Sequence, residues 1–300
     1  MIGQFRRVWR AQVGSLVVSD SAADARPLDI SFKVKKTLGA ARGGTLDMEI
    51  FNLSEEHRRE IATAPRRQTY VRLDAGYEGP GGASQIFVGD LRKAIVAESG
   101  ADWVVKVTAG SGEHSVRSAR VVRSFAAGAT VEDVVRHLAS AMGVGVGNAL
   151  DAFQGARLAG GAQIHAGGAV LQGRASEELD RLCTAAGLSF SVQDGVLQVL
   201  PLGGALDRSA ILLSPTTGLV ESPEIVNRRT ITVKALLQPG LVPGQRIVVE
   251  SAVISGVWRI TEAEYSGANG GNDWYATMTC HRPVAPLLGA RTVGPRQEIQ

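Results

Sequence analysis

Residues Leu46–Ile61 read LDMEIFNLSEEHRREI, and the two halves of the stretch follow different periods. Leu46, Met48 and Ile50 recur at every second residue with Asn52 in the same phase, which is the pattern of a half-buried strand. At Asn52-Leu53-Ser54 the alternation stops. Ser54 can accept a hydrogen bond from a free backbone N–H, and Glu55 and Glu56 fall in the first turn of a short helix expected to end near Ala62. The junction is expected to stop an edge strand and set one helix on the outside of a β unit.

The segments on either side extend that β unit. Leu28, Ile30, Phe32 and Val34 alternate with Asp29, Ser31, Lys33 and Lys35, and a Gly-rich turn leads back into Leu46. Downstream, Val71, Leu73, Ala75 and Tyr77 alternate, EGPGG turns the chain, and Ile86 to Val96 forms a long strand. ADWVVKVTAG and SVRSARVVRSF continue the pattern, so residues 1–125 read as a five- to seven-stranded antiparallel sheet curled into a barrel with one inserted helix.

After Phe125 the period becomes helical. Thr130 is the expected N-cap with Asp133 three residues on, Val131, Val134, Val135, Leu138 and Met142 share a face, and Gly143 is the stop. A weakly patterned stretch runs to Gly173. Ser176 then reads as the cap of a helix carrying Leu179, Leu182 and Cys183, Gly187 as its stop, and Asp194-Gly195 as a type I′ hairpin turn. Residues 126–204 therefore read as a small α+β domain. Strands return from Ile211 to His281, giving a second β unit over 205–285 and a turn-rich tail over 286–300. The fold class expected is mainly β with an α+β insert: two tube-like antiparallel β-barrel domains flanking a small α+β domain.

The two β units share a pattern. Each has a glycine (Gly89, Gly256), an alternating strand, a Ser-Gly pair read as a turn (Ser99-Gly100, Ser266-Gly267), an Asp-Trp pair (Asp102-Trp103, Asp273-Trp274) and a further strand. This points to a duplication, with Trp274 as an inward anchor of the last unit.

Composition narrows the function classes. The chain has 300 residues, 44% hydrophobic and 20% charged, with 32 Lys and Arg against 29 Asp and Glu, enough apolar material for one core or several small ones. No apolar run approaches the ~20 residues of a bilayer span, and the N-terminal stretch has no apolar signal core, so a soluble, non-exported chain is expected. Arginine pairs such as Arg58-Arg59 lack the interleaved aromatics of a nucleic-acid groove. Cys183 and Cys280 read as buried thiols.

Catalytic patterns are missing. GVGVGN at Gly143–Asn148 follows a helix and is not G-x-G-x-x-G, His57, His114, His137, His165 and His281 have no i,i+4 partner, and no G-x-S-x-G is present. The pairs Glu55-Glu56 and Glu177-Glu178 sit in first helical turns, where capping explains them. No enzyme, cofactor or metal is expected. A rival reading, a cell-wall-binding or hydrolytic component, would need exposed aromatics in the insert, where Phe153 and Phe190 stand, or acids in a cleft.

The ordered segments at Leu28–Ile61, Val71–Leu91, Leu212–Ile225, Val233–Ser251, Gly256–Gly267 and Asp273–Cys280 resemble the baseplate hub proteins of tailed bacteriophages, related to the hubs of contractile injection machines. The resemblance implies a virion protein of the tail baseplate, made in the host cytoplasm, forming a homotrimeric ring that joins a hexameric tail tube to a trimeric spike around a channel for DNA. Its partners would be the tail tube protein or distal tube initiator, the central spike protein, other baseplate chains and the tape measure protein, with no specific nucleic-acid binding and no membrane insertion. Asn52, Leu53, Ser54, Arg58, Arg59, Trp103 and Trp274 are the expected structural or interface residues. No fused lysozyme-like or spike segment of the kind found in longer hubs is expected from this sequence.

Overall fold

A strand that alternates as Leu46–Ile50 does must bury one face, and here it does so between two neighbours. The computed structural model describes residues 6–20, 28–39, 43–79, 82–111, 116, 118–158 and 168–283. His114, His165 and the tail at 286–300 lie outside them. The first β region holds β1 (Arg7–Val13), β2 (Leu16–Ser19), β3 (Ile30–Thr37), β4 (Thr45–Phe51), α1 (Glu55–Thr63), β5 (Tyr70–Tyr77), β6 (Ala83–Ser99) and β7 (Asp102–Gly110). The insert holds β8 (Arg120–Phe125), α2 (Val131–Ala141), α3 (Ala149–Leu158), β9 (Ala169–Arg174), α4 (Ala175–Ala185), β10 (Leu188–Gln193) and β11 (Val196–Pro201). The last region holds β12 (Ile211–Leu213), β13 (Glu224–Asn227), β14 (Thr230–Leu236), β15 (Arg246–Glu250), β16 (Ser255–Ala268) and β17 (Trp274–His281).

The fold is mainly β with an α+β insert. The two β regions do not part in space. They join in one 13-stranded sheet, ordered β13-β14-β17-β16-β3-β4-β7-β6-β5-β1-β2, with β12 and β15 branching from β16. The junction is the antiparallel pair β3·β16, from Ser31 opposite Ala268 to Thr37 opposite Glu262. One hydrophobic core runs through both regions, from Trp9 to Cys280.

Within this sheet an order recurs: β3-β4-β7-β6-β5 in the first region and β13-β14-β17-β16-β15 in the last. In each copy the long strand, β6 or β16, pairs with a shorter strand over its first part and with its hairpin partner over the rest. Each also bulges against that partner, at Leu91/Lys93 and at Ile260/Glu262. Leu91 faces Ala109 and Ile260 faces Cys280, and the same number of residues separates Trp103 from Ala109 and Trp274 from Cys280. The Asp-Trp pairs therefore match in register. Ser266-Gly267 does not match Ser99-Gly100: both residues lie inside β16, opposite Tyr275 and Trp274, and the turn follows at Asn269–Asn272.

Several sequence expectations change with the pairing. β4 is flanked by β3 and β7, so it is an interior strand and not an edge. Asn52 leaves the buried phase of β4 because its backbone turns to φ +57°, which leaves its side chain exposed. Residues 120–125 leave the first sheet: β8 pairs with β9, and Val116 and Val121 bury in the insert's core. The weakly patterned stretch contains α3 and β9, the first only faintly amphipathic and the second made a strand by its distant partner. β1 owes its place in the sheet to β5, and β2 pairs with β1 across the turn at Gly14-Ser15.

Local signals hold elsewhere. Thr130 and Asp133 form a reciprocal capping box on α2, and Gly143 and Gly187 take left-handed φ past α2 and α4. Ser176 is not a cap: α4 begins at Ala175, whose N–H is taken by Ala119 O at 2.9 Å, and no side chain caps it. Asp194 and Gly195, at φ +52° and +78°, form the expected type I′ turn.

That turn fastens the insert to the sheet. Lys36 on β3, only 2% exposed, holds Asp194 at 2.6 Å, and Asp194 also accepts from Val88 N–H on β6 at 3.3 Å. Gln193 donates to Thr37 O, Gln198 to Pro243 O, and Arg259 to Gly204 O. The insert thus grips both halves of the sheet. Asn tolerates positive φ as Asp does, so Asp194→Asn should keep the turn and leave the Lys36 ammonium buried without its counter-charge. A loss of roughly 3 kcal/mol is expected, the low end for a broken buried pair because Asp194 is partly solvated. Chemical denaturation measures it, and an unmoved midpoint would show that the pair contributes nothing.

Both thiols are buried, and burial pushes Cys183 and Cys280 up to about 12. A thiol raised in the folded state contributes stability that is fully present below its unfolded pKa, about 8.5, and is lost as pH rises toward 12. The folded chain should therefore resist a thiol reagent at pH 8 and react at both cysteines once unfolded; rapid native labelling at pH 8 contradicts this.

Candidate functional site

The residues read at the strand-to-helix junction form one corner. Asn52 behaves as an extra rung of the ladder: its N–H donates to Trp103 O at 2.8 Å, its Oδ1 accepts from Trp103 N–H at 3.1 Å, and its Nδ2 donates to Asp102 Oδ1 at 2.9 Å. Asn is suited to this because its short amide bonds locally while its backbone turns left-handed. Leu53 then drops into the core, and Ser54 Oγ accepts from His57 N–H at 3.3 Å as the N-cap. Arg58 donates to Leu53 O at 2.7 Å and lays its guanidinium 4.3 Å from the Trp103 ring centre.

Ile61 is buried in the same core, so α1 is anchored on its own sheet, with Arg58 laid against the exposed Trp103 of β7. Arg59 is not part of the corner. It pairs with Glu55 at 2.7 Å on the solvent face, a contact worth about 0.3–0.5 kcal/mol.

Trp274 stands elsewhere, at the β3·β16 junction. It is 1% exposed, meets Phe32 of β3 edge to face at 5.3 Å, and donates Nε1–H to Gly76 O of β5 at 3.1 Å. Gly267, opposite it, must be glycine: a Cβ there would fall 2.3 Å from the Phe32 ring and 2.9 Å from the Trp274 ring. Arg7 of β1 lies 5.6 Å from the Trp274 ring and donates to Ala268 O at 2.8 Å. Asn269 completes the joint, accepting from Ile30 N–H at 2.7 Å and donating to Leu28 O at 3.0 Å. Arg7 and Asn269 escaped the sequence reading because their partners are more than 200 residues away, although the Asn-Gly turn at Asn269-Gly270 is a local signal.

Matched by register, the two tryptophans thus have different jobs. Each has an arginine over its ring, yet Trp103 is 37% exposed and Trp274 is sealed between the halves. No described group of three or more His, Cys, Asp or Glu could hold a metal ion. A cavity of 240 Å³ beside Gly256, Trp258 and Arg282 has neither an acid nor a histidine on its walls. Phe153 and Phe190, the aromatics a wall-binding insert would expose, are buried. No helix among the described residues is long and apolar enough to cross a membrane.

Trp274→Ala should cost roughly 3–5 kcal/mol, because it empties a buried aromatic site. Trp103→Ala should cost about 1 kcal/mol or less, the worth of a half-exposed cation–π pair. Equal losses in thermal melts would mean that burial does not separate the two sites.

No protein-family model matches this chain, and no curated protein matches it. Solved structures do. The 43 kDa tail protein of prophage MuSo2 from Shewanella oneidensis aligns over 92% of this chain and 98% of its own, with a TM-score of 0.58 and 9% identity. A tail protein from Neisseria meningitidis MC58 aligns over 92% and 97%, with a TM-score of 0.57 and 12% identity. A component of the E. coli type VI secretion system, itself described as structurally similar to the T4 tail proteins gp27 and gp5, aligns over 94% of this chain and 79% of its own, with a TM-score of 0.51 and 12% identity. At such identities the likeness is one of fold, and this chain shares the fold of those tail and secretion-system proteins.

Proposed function

We infer that this chain is a structural hub protein of a phage tail baseplate, three copies of which close a ring between the tail tube and the central spike. The observation that carries the reading is the strand order that occurs twice in one continuous sheet. Two similar β units per chain, taken three times around an axis, give six similar units on one side and threefold symmetry on the other. On this reading β1 to β7 and β12 to β17 supply the two tube-like units, and the insert from β8 to β11 braces them. The fold neighbours support it, being tail proteins and a secretion-system component over nearly the whole chain.

The partners that follow are the tail tube protein or distal tube initiator, the spike protein, neighbouring baseplate chains and the tape measure protein. DNA crosses the ring without being bound by sequence, and the chain performs no chemistry. The corner of Asn52, Arg58 and Trp103 presents a rigid aromatic and a cation outward, the composition that anchors protein interfaces, and is assigned to contact with an adjoining subunit.

Mass photometry of the purified chain, alone and mixed with a candidate spike protein, tests the ring. The expected species has three times the 31.5 kDa of one chain. Monomers at every concentration, with and without tube and spike partners, would remove the hub reading.

A further inference from the structure

The face of the joined sheet that points away from the core carries a ladder of charges running across the β3·β16 junction. One row passes from Lys234 through Thr277, Glu264 and Lys35 to Thr45, and a second from Ser266 through Lys33 and Asp47 to Thr108, each step between neighbouring strands. Charges of opposite sign are matched along it. Glu264 takes both Lys33, at 2.6 Å, and Lys35, at 3.2 Å, across the junction. Glu49 takes Lys106 at 2.6 Å, and Glu221 takes Lys234 at 2.7 Å. Burial alone would raise the Glu264 carboxyl, but the hydrogen bonds from the two lysines outweigh it and hold the pKa below the usual value.

Exposed pairs of this kind add little to stability. Their consequence is electrostatic: Lys33, Lys35, Lys106 and Lys234 each lie within 3.2 Å of an acid, well inside the ~8 Å screening length of physiological salt, while Lys93 next to Thr108 stays exposed at the end of the second row. A duplex next to this face meets cations that are already neutralised, so there is little counterion release to hold it.

We propose that this charge-compensated face is the surface past which DNA travels, and that Glu264 keeps it from retaining the polyanion by holding Lys33 and Lys35. The proposal rests on the hub reading for the passage of DNA, and on the ion-pair ladder for the face and the residue. Removing the acid exposes two lysines at once, on a strand pair that belongs to both repeats.

The test is fluorescence anisotropy of a labelled duplex DNA titrated with the full-length chain at low salt. The unaltered chain should bind weakly. Glu264→Gln should bind at least tenfold more tightly, with a salt dependence steeper by about two released counterions, roughly 0.9 for each freed lysine. Glu132→Gln, which frees Arg136 on α2 away from this face, should not gain. If Glu264→Gln fails to fold by circular dichroism, Glu49→Gln frees Lys106 on the same face and should gain a smaller, one-cation increment.

Tight binding by the unaltered chain, no gain in the folded variants, or an equal gain in Glu132→Gln overturns the proposal. Mass photometry of the same samples separates it from the hub reading. Rings whose variants gain no DNA sink this inference alone, whereas monomers whose variants gain DNA sink the ring and leave the compensated face standing.

Discussion

The pairing of β3 with β16 is the constraint on which the rest of the molecule depends. It is a register between residues more than 200 positions apart, so closing it costs chain entropy that local propensity does not offset. What offsets it is the dry joint beside it, where Trp274, Phe32 and the missing Cβ of Gly267 let two strands approach with aromatic rings between them. The polar atoms at that joint are answered as well: the indole N–H by Gly76 O, and the amide of Asn269 by the backbone at Leu28 and Ile30. A joint that buries aromatic surface and leaves those groups satisfied makes one body of what composition alone would allow to be two.

Because the halves are fused, the insert can be held from both sides. Its hairpin turn reaches Lys36 and Val88 in the first region, while Gln198 and Gly204 reach Pro243 and Arg259 in the last. Arg259 shows the cost: burial lowers its pKa, and its Nε finds no partner. Movement of the insert would break the Lys36–Asp194 charge pair, which is largely shielded from water.

The same fusion gives the outer face its continuity. Over the joint itself Glu264 on β16 pairs with Lys33 and Lys35 on β3. Structural and electrostatic continuity therefore have one origin, the backbone ladder between two strands of opposite halves.

What the sequence determined by itself was whatever is decided within a few residues. The phase of Leu46, Met48 and Ile50, the cap at Ser54, the capping box at Thr130 and Asp133, and the type I′ turn at Asp194-Gly195 each follow from side-chain period or from local hydrogen bonding. The paired Asp-Trp motifs revealed the repeat for the same reason. Tertiary structure decided what depends on distant partners: that β4 is interior, that β8 belongs with β9 in the insert, that Ser266-Gly267 lies in a strand, and that Trp274 is sealed while Trp103 is not. Two tryptophans in the same motif carry no mark of which will be covered, because burial is set by what the rest of the chain packs against them.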